Sequence, residues 1–184
     1  MQRHSPDPDA PLVQRAQRGD RLAFERLVDR HQHRLFTLAA RTLGSRSEAE
    51  DAVQEAFLRA WRGLGSFRGG SLFSTWLYRI CVNAAHDQRE RRRPEPVETV
   101  ETTPDARDRI AERELSSELQ RALASLDEEQ RRTVVLSDVL GCSYAEIAEI
   151  TGVAEGTVKS RLFRARAELA RLLGTGGGGA PSNE

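Results

Sequence analysis

The stretch from Ser143 to Arg166, SYAEIAEITGVAEGTVKSRLFRAR, restricts the fold of this chain more than any other. It predicts two short helices around a tight turn, the second rich in Arg and Lys. Ile147, Ala148, Val153, Val158 and Leu162 stand where a helix-turn-helix needs small and apolar residues. Ala148 lets the two helices approach, and Val158 and Leu162 hold the second against the first. Gly152 supplies the turn, because positive φ costs it no Cβ clash. The outward face then presents Thr157, Ser160, Arg161 and Arg164, with Lys159 beside them. Such side chains reach base edges and phosphates in a major groove. Duplex DNA is the expected ligand of this segment.

The rest of the chain favours helix as well. Ala, Leu, Arg and Glu dominate its 184 residues, and the apolar fraction is 38%. That is low for one globule and workable for one or two small helical units. Basic and acidic residues balance at 28 each, but unevenly along the chain. Residues 1–93 hold 17 Arg against 11 Asp and Glu, a net of +6, whereas residues 94–118 hold 3 against 8, a net of −5. An acidic segment therefore separates two units. Every basic residue except Lys159 is Arg, whose fork grips guanine and phosphate in a way Lys cannot.

Cys81 and Cys142 lie far apart and lack metal-ligand spacing. Cys81 falls on an apolar helical face, whereas Cys142 precedes the motif with part of its surface exposed. No disulfide framework is expected, and a reducing cytoplasm is the expected compartment. The start, MQRHSPDPDAP, has no apolar run, so no signal peptide is expected, and no stretch reaches the length of a membrane span. His4, His31, His33 and His86 have no partners at ligand spacing, so neither metal nor cofactor is expected. No phosphate-binding loop or nucleophile–base pattern occurs, and the chain is not expected to be an enzyme.

Apolar periodicity organises the chain. Pro11 to Arg18 predicts a short helix stopped at Gly19, and Asp20 has the character of an N-cap. Leu22, Phe24, Leu27, Val28, Leu35, Leu38 and Ala39 form one face of a long helix ending at Gly44. Ser45 or Ser47 caps the next, whose apolar face carries Ala49, Ala52, Val53, Ala56, Phe57, Ala60, Trp61 and Leu64. A glycine-rich loop, Gly65 to Ser71, leads to a fourth helix with Phe73, Trp76, Leu77, Ile80, Cys81 and Ala84 on one face. Tyr78, Arg79, Val82, Asn83 and His86 face elsewhere on that helix, which Pro94 stops. Residues 94–108 predict an extended linker and residues 174–184 a flexible tail. Between them helix returns from Arg109, and Asp127 caps a helix burying Val134, Val135, Leu136, Val139 and Leu140.

Two surfaces outside the helix-turn-helix are candidates for binding. Opposite the apolar face of the third helix lie Asp51, Gln54, Glu55, Leu58, Arg59 and Arg62. A solvated face explains them, and so does a docking surface centred on Leu58. The glycine-rich loop is either a connector or a place where backbone approaches a ligand, with Phe67 and Arg68 available to stack on an unpaired base.

Taken in order, DAVQEAFLRAW, FRGGSLFSTWLYRICVNAAHDQRERRR, LDEEQRRTVVL and GCSYAEIAEITGVAEGTVKSRLFRAR resemble the extracytoplasmic-function (ECF) sigma factors of bacterial RNA polymerase. The resemblance spans roughly residues 10–173. It implies an all-α chain of two small helical domains, region 2 over 10–93 and a helix-turn-helix region 4 over 109–173, on a flexible acidic linker. Asp51, Gln54, Glu55 and Leu58 would bind the clamp helices of the polymerase largest subunit, and the flap would be a further polymerase contact. Phe67, Ser71, Thr75, Trp76, Arg79 and Asn83 would lie nearest the melted minus-10 strand, where a base is flipped and read. Thr157, Lys159, Ser160 and Arg161, followed by Phe163, Arg164 and Arg166, would read the minus-35 element and hold its backbone. The linker would thread the RNA exit path. Ala154 departs from the family, which often has a capping Ser or Pro there.

The function implied is promoter-directed transcription initiation, with an anti-sigma factor as regulator and no membrane contact except through a membrane-bound partner of that kind. A two-domain helix-turn-helix regulator, with residues 1–93 for dimerisation or sensing, is the alternative.

Overall fold

The structure, a computed structural model, describes residues 7–91 and 108–174. The expected linker as far as residue 107 and the tail from residue 175 lie outside them. The described elements are helical, and no strand occurs among them.

The first unit contains α1 (Ala10–Gln17), α2 (Arg21–Leu43), α3 (Arg46–Gly63) and α4 (Phe73–Arg91). Its boundaries follow from local chemistry. Asp20 accepts the Ala23 amide at 3.1 Å and starts α2, a cap worth about 1 kcal/mol. Gly44 ends α2 at φ 78°, and Ser45, the nearer of the two candidate serines, accepts the Glu48 amide to start α3. A stripe of alanines on α3 (Ala49, Ala52, Ala56 and Ala60) is fully buried. Small side chains there let α2 and α4 pack closely, so that Leu27, Leu35, Leu38, Phe73, Leu77 and Cys81 close over it. Burial pushes the Cys81 thiol up to about 12.

The second unit contains α5 (Asp108–Ser125), α6 (Glu128–Val134), α7 (Tyr144–Thr151) and α8 (Glu155–Gly174). Asp127 caps α6 through the Gln130 amide at 2.7 Å. The helix then widens into a π-helical turn, Val135–Val139. Arg131, Thr133, Val134, Val135 and Leu136 are all buried, so α6 is the centre of this unit. Arg131 satisfies the end of α5 by donating to the carbonyls of Leu123, Ala124 and Leu126 at 2.7–2.9 Å. A cation suits the negative end of a helix.

The two units pack together through α4 and α7. Arg34 donates to the Leu140 carbonyl at 2.7 Å, and the fourth bond of Arg131 reaches the Thr42 carbonyl at 3.0 Å. Gln120 to Arg41 and Thr75 to Glu146 are longer, at 3.4 Å.

This packing corrects several expectations. Tyr78 and Val82, expected away from the apolar face, are buried, because α4 has a second covered stripe beneath the other unit. Leu22, Trp61 and Val139 were expected inside and are exposed at 66%, 38% and 46%. Trp61 instead lays its ring against Phe24, 4.9 Å between centroids, and the π turn rotates Val139 outward.

Candidate nucleic-acid interface

The helix-turn-helix forms as expected. Ser143 and Glu146 make a capping box at the start of α7. Gly152 turns the chain at φ 70°. Val158, Leu162 and Ala165 bury one face of α8. Ala154 before α8 has no side-chain acceptor to cap it, and its carbonyl accepts the amides of Thr157 and Val158.

The outward residues of α8 fall into two groups. Lys159 and Arg164 have no acidic partner among the described residues, and Phe163 is 77% exposed. Thr157 is half-buried, and Ser160 donates to its carbonyl at 3.0 Å. Arg161 and Arg166 are held. Arg161 pairs with Glu129 of α6. Arg166 forks onto Asp138 at 2.5 and 3.1 Å and also donates to Ser137. That carboxylate raises the Arg166 pKa above its ordinary value, and the same bond lowers Asp138 below 3.8. Ser137 and Asp138, which Arg166 engages, both belong to the π turn. A shallow hollow of about 490 Å³ opens beside Phe163, lined also by Tyr144, Lys159, Leu162, Arg166 and Ala167.

In the first unit, Phe67, Phe73 and Trp76 form an aromatic cluster. Phe67 meets Phe73 edge-on at 5.9 Å and Trp76 at 5.1 Å, and Phe73 lies 5.6 Å from Trp76. Phe67, Ser71 and Trp76 are half-buried, and Arg79 and Asn83 are exposed. Trp76, Arg79 and Asn83 share one stripe of α4, so a single strand could pass over them. Thr75 is not on that stripe. It is 2% exposed beneath α7, where its hydroxyl meets Glu146. Among the six residues expected at the minus-10 strand, it is the one the second unit covers.

On α3, Asp51 and Gln54 are exposed, Glu55 is half-buried and Leu58 is 45% exposed. Arg59 bonds Glu55 and Asp87, each at 2.7 Å, and these partners raise its pKa. Trp61 stands one turn beyond Leu58 and widens the exposed apolar surface. Apolar periodicity hid Trp61, since it reads an aromatic on an apolar stripe as core. Among the described residues no cluster of His, Cys, Asp and Glu could hold a metal, and no helix is long and apolar enough to cross a membrane.

Comparison with known proteins bears on these surfaces together. Residues 27–95 match the family described as Sigma-70 region 2, and residues 116–169 match Sigma-70, region 4. The ECF RNA polymerase sigma factor SigM of Mycobacterium tuberculosis is 48% identical over 166 residues, covering 90% of this chain and 85% of the relative. The ECF RNA polymerase sigma-E factor of Escherichia coli is 43% identical over 173 residues, covering 86% and 90%. Among solved structures, CnrH in complex with the cytosolic domain of CnrY overlaps 91% of this chain and 97% of its own, at 32% identity and a TM-score of 0.72. The sigma factor RpoE in complex with the anti-sigma factor NepR, from Bartonella quintana, overlaps 82% and 96%, at 31% identity and 0.67. Both sigma-70 regions are matched in order along one helical chain, and relatives 43–48% identical cover most of its length: the chain belongs to the ECF RNA polymerase sigma factors.

Proposed function

We propose that this chain binds core RNA polymerase and directs it to promoters, reading a minus-10 element with region 2 (10–93) and a minus-35 element with region 4 (109–173). The observation that carries the reading is the division of labour between its two surfaces. Lys159, Phe163 and Arg164 project from a helix shaped for a duplex groove. The half-buried rings of Phe67 and Trp76, backed by the buried Phe73 and flanked by Arg79 and Asn83, offer stacking and polar groups suited to an unpaired strand. Opening costs a few kcal/mol, so a surface that holds a flipped base favours melted DNA. Asp51, Gln54, Glu55, Leu58 and Trp61 form the docking face for the clamp helices of the largest subunit, and the flap is the second polymerase contact. The cytoplasm is the compartment.

The two elements lie about 25 base pairs apart by their names, roughly 85 Å along B-form DNA at about 3.4 Å per pair. Helices α4 and α7, which touch here, serve opposite ends of that span. The two regions therefore separate on the promoter. The packed arrangement has a counterpart in the overlap with CnrH, a chain held in complex with the cytosolic domain of CnrY. An anti-sigma partner, cytosolic or carried on a membrane protein, would select this arrangement.

Gel filtration with core RNA polymerase tests the reading, followed by run-off transcription on genomic fragments. Comigration and discrete transcripts are expected. A chain that never comigrates is an ordinary helix-turn-helix regulator.

A further inference from the structure

The three surfaces above leave α1 and the residues before it without a role, yet these residues hold both ends of the glycine-rich loop. At the start of the loop, Gln17 spends both amide protons on backbone: its Nε2 donates to the Leu64 carbonyl at 3.0 Å and to the Phe67 carbonyl at 2.9 Å. At its end, Asp7 Oδ2 accepts the amide of Phe73, the first residue of α4, at 2.7 Å. The other oxygen of Asp7 accepts the Asp9 amide at 2.9 Å. Asp9 is itself buried and tied to His31 at 2.6 Å and Arg30 at 2.5 Å. The brace is thus anchored in the core at one end and on α1 at the other. Between the two clamped points, Arg68, Gly69 and Gly70 are exposed, and Gly69 adopts φ 72°.

We propose that Gln17 and Asp7 are positioning residues for minus-10 recognition. They set the loop from Gly65 to Leu72, and the Phe67 ring within it, in the conformation that receives a base, acting through the loop backbone. This rests on the reading of the chain as a minus-10 reader. The physics is that of a tethered loop. Fixing its ends removes most of its conformations before DNA arrives, so less ordering is left for binding to supply. A primary amide suits the start because two carbonyl oxygens need two donors. A carboxylate suits the end because the first amides of a helix are unpaired and carry partial positive charge.

The test uses the full chain with core RNA polymerase and a promoter library randomised across the minus-10 and minus-35 positions, with transcripts sequenced. Gln17→Glu keeps the size and replaces the donors with oxygens that repel both carbonyls. Gln17→Lys keeps donors at a similar reach. Gln17→Glu is expected to lose at least tenfold of the base preference at the most selective minus-10 position, while the minus-35 profile stays as in wild type. Gln17→Lys is expected to recover most of that preference. A purely structural role would lower total yield and leave both profiles intact. Unchanged profiles in Gln17→Glu, equal flattening at both elements, or failure of Gln17→Lys to recover preference each overturn the proposal. A wild-type chain with no minus-10 preference would instead refute the promoter reading on which it rests.

Discussion

Thr75 on α4 donates to Glu146 on α7 at 3.4 Å, so the helix that carries the proposed minus-10 surface and the first helix of the helix-turn-helix are in direct contact. Close by, the Tyr78 hydroxyl is buried without a hydrogen-bond partner among the described residues, and burial pushes its pKa up to about 12. An unpaired buried hydroxyl costs about 1–3 kcal/mol. Tyr78→Phe should therefore favour the packed arrangement by about 1 kcal/mol, raising the melting temperature and slowing open-complex formation. Faster opening in this variant would mean that the hydroxyl holds the regions together.

Arg131 gives a second, larger effect. Its four carbonyl bonds close α5 and reach across to Thr42. Arg131→Met should cost about 3 kcal/mol or more in urea unfolding, because buried carbonyls at a helix end lose a charged donor. Arg131→Lys should recover little, since one ammonium cannot replace a planar fork. Near-complete recovery by Lys would reduce the role of Arg131 to its charge.

The division within α8 separates affinity from stability. Lys159→Ala and Arg164→Ala should weaken binding to a minus-35 duplex. Each should also flatten the salt dependence by about one unit of slope for every phosphate left without its cation. Thermal unfolding should not change. Arg166→Ala should also lower stability, by less than about 1 kcal/mol because the pair with Asp138 is half exposed. Asn83→Ala should reduce permanganate reactivity of promoter thymines more than closed-complex formation.

Asp9 predicts the acid limb of the stability curve. Burial alone would raise its pKa, but hydrogen bonds and charge from His31 and Arg30 bring it below the ordinary 3.8. A carboxyl with a lowered folded pKa stabilises the fold fully above its unfolded value. That contribution fades as pH falls through the folded one. Asp9→Asn should lose about 1–3 kcal/mol at neutral pH, and its stability should fall less steeply below pH 4. Parallel acid limbs in mutant and wild type would exclude Asp9 as the titrating group.

The sequence made some of this legible and hid the rest for physical reasons. Asp20, Gly44, Asp127 and Gly152 act where their local chemistry says, because caps and turns are decided by neighbours in the chain. Leu27 and Leu35 are core because their helix has one apolar face. Helix α4 has two covered faces, and periodicity reports that a face is apolar without naming what covers it. Tyr78 and Thr75 escaped it for that reason. Gln17 and Arg131 escaped it because they bond to backbone carbonyls, which every residue carries and no pattern marks.

The packing of α4 on α7 also has a meaning in populations. If the two regions separate on the promoter as proposed, promoter binding draws only on molecules whose regions are apart, and apparent affinity is the intrinsic affinity scaled by that fraction. Each ~1.4 kcal/mol of docking between the regions lowers apparent promoter affinity about tenfold. Substitutions at Arg34 or Tyr78, which act at the contact between the regions, would then set how much transcription this chain supports at a given concentration.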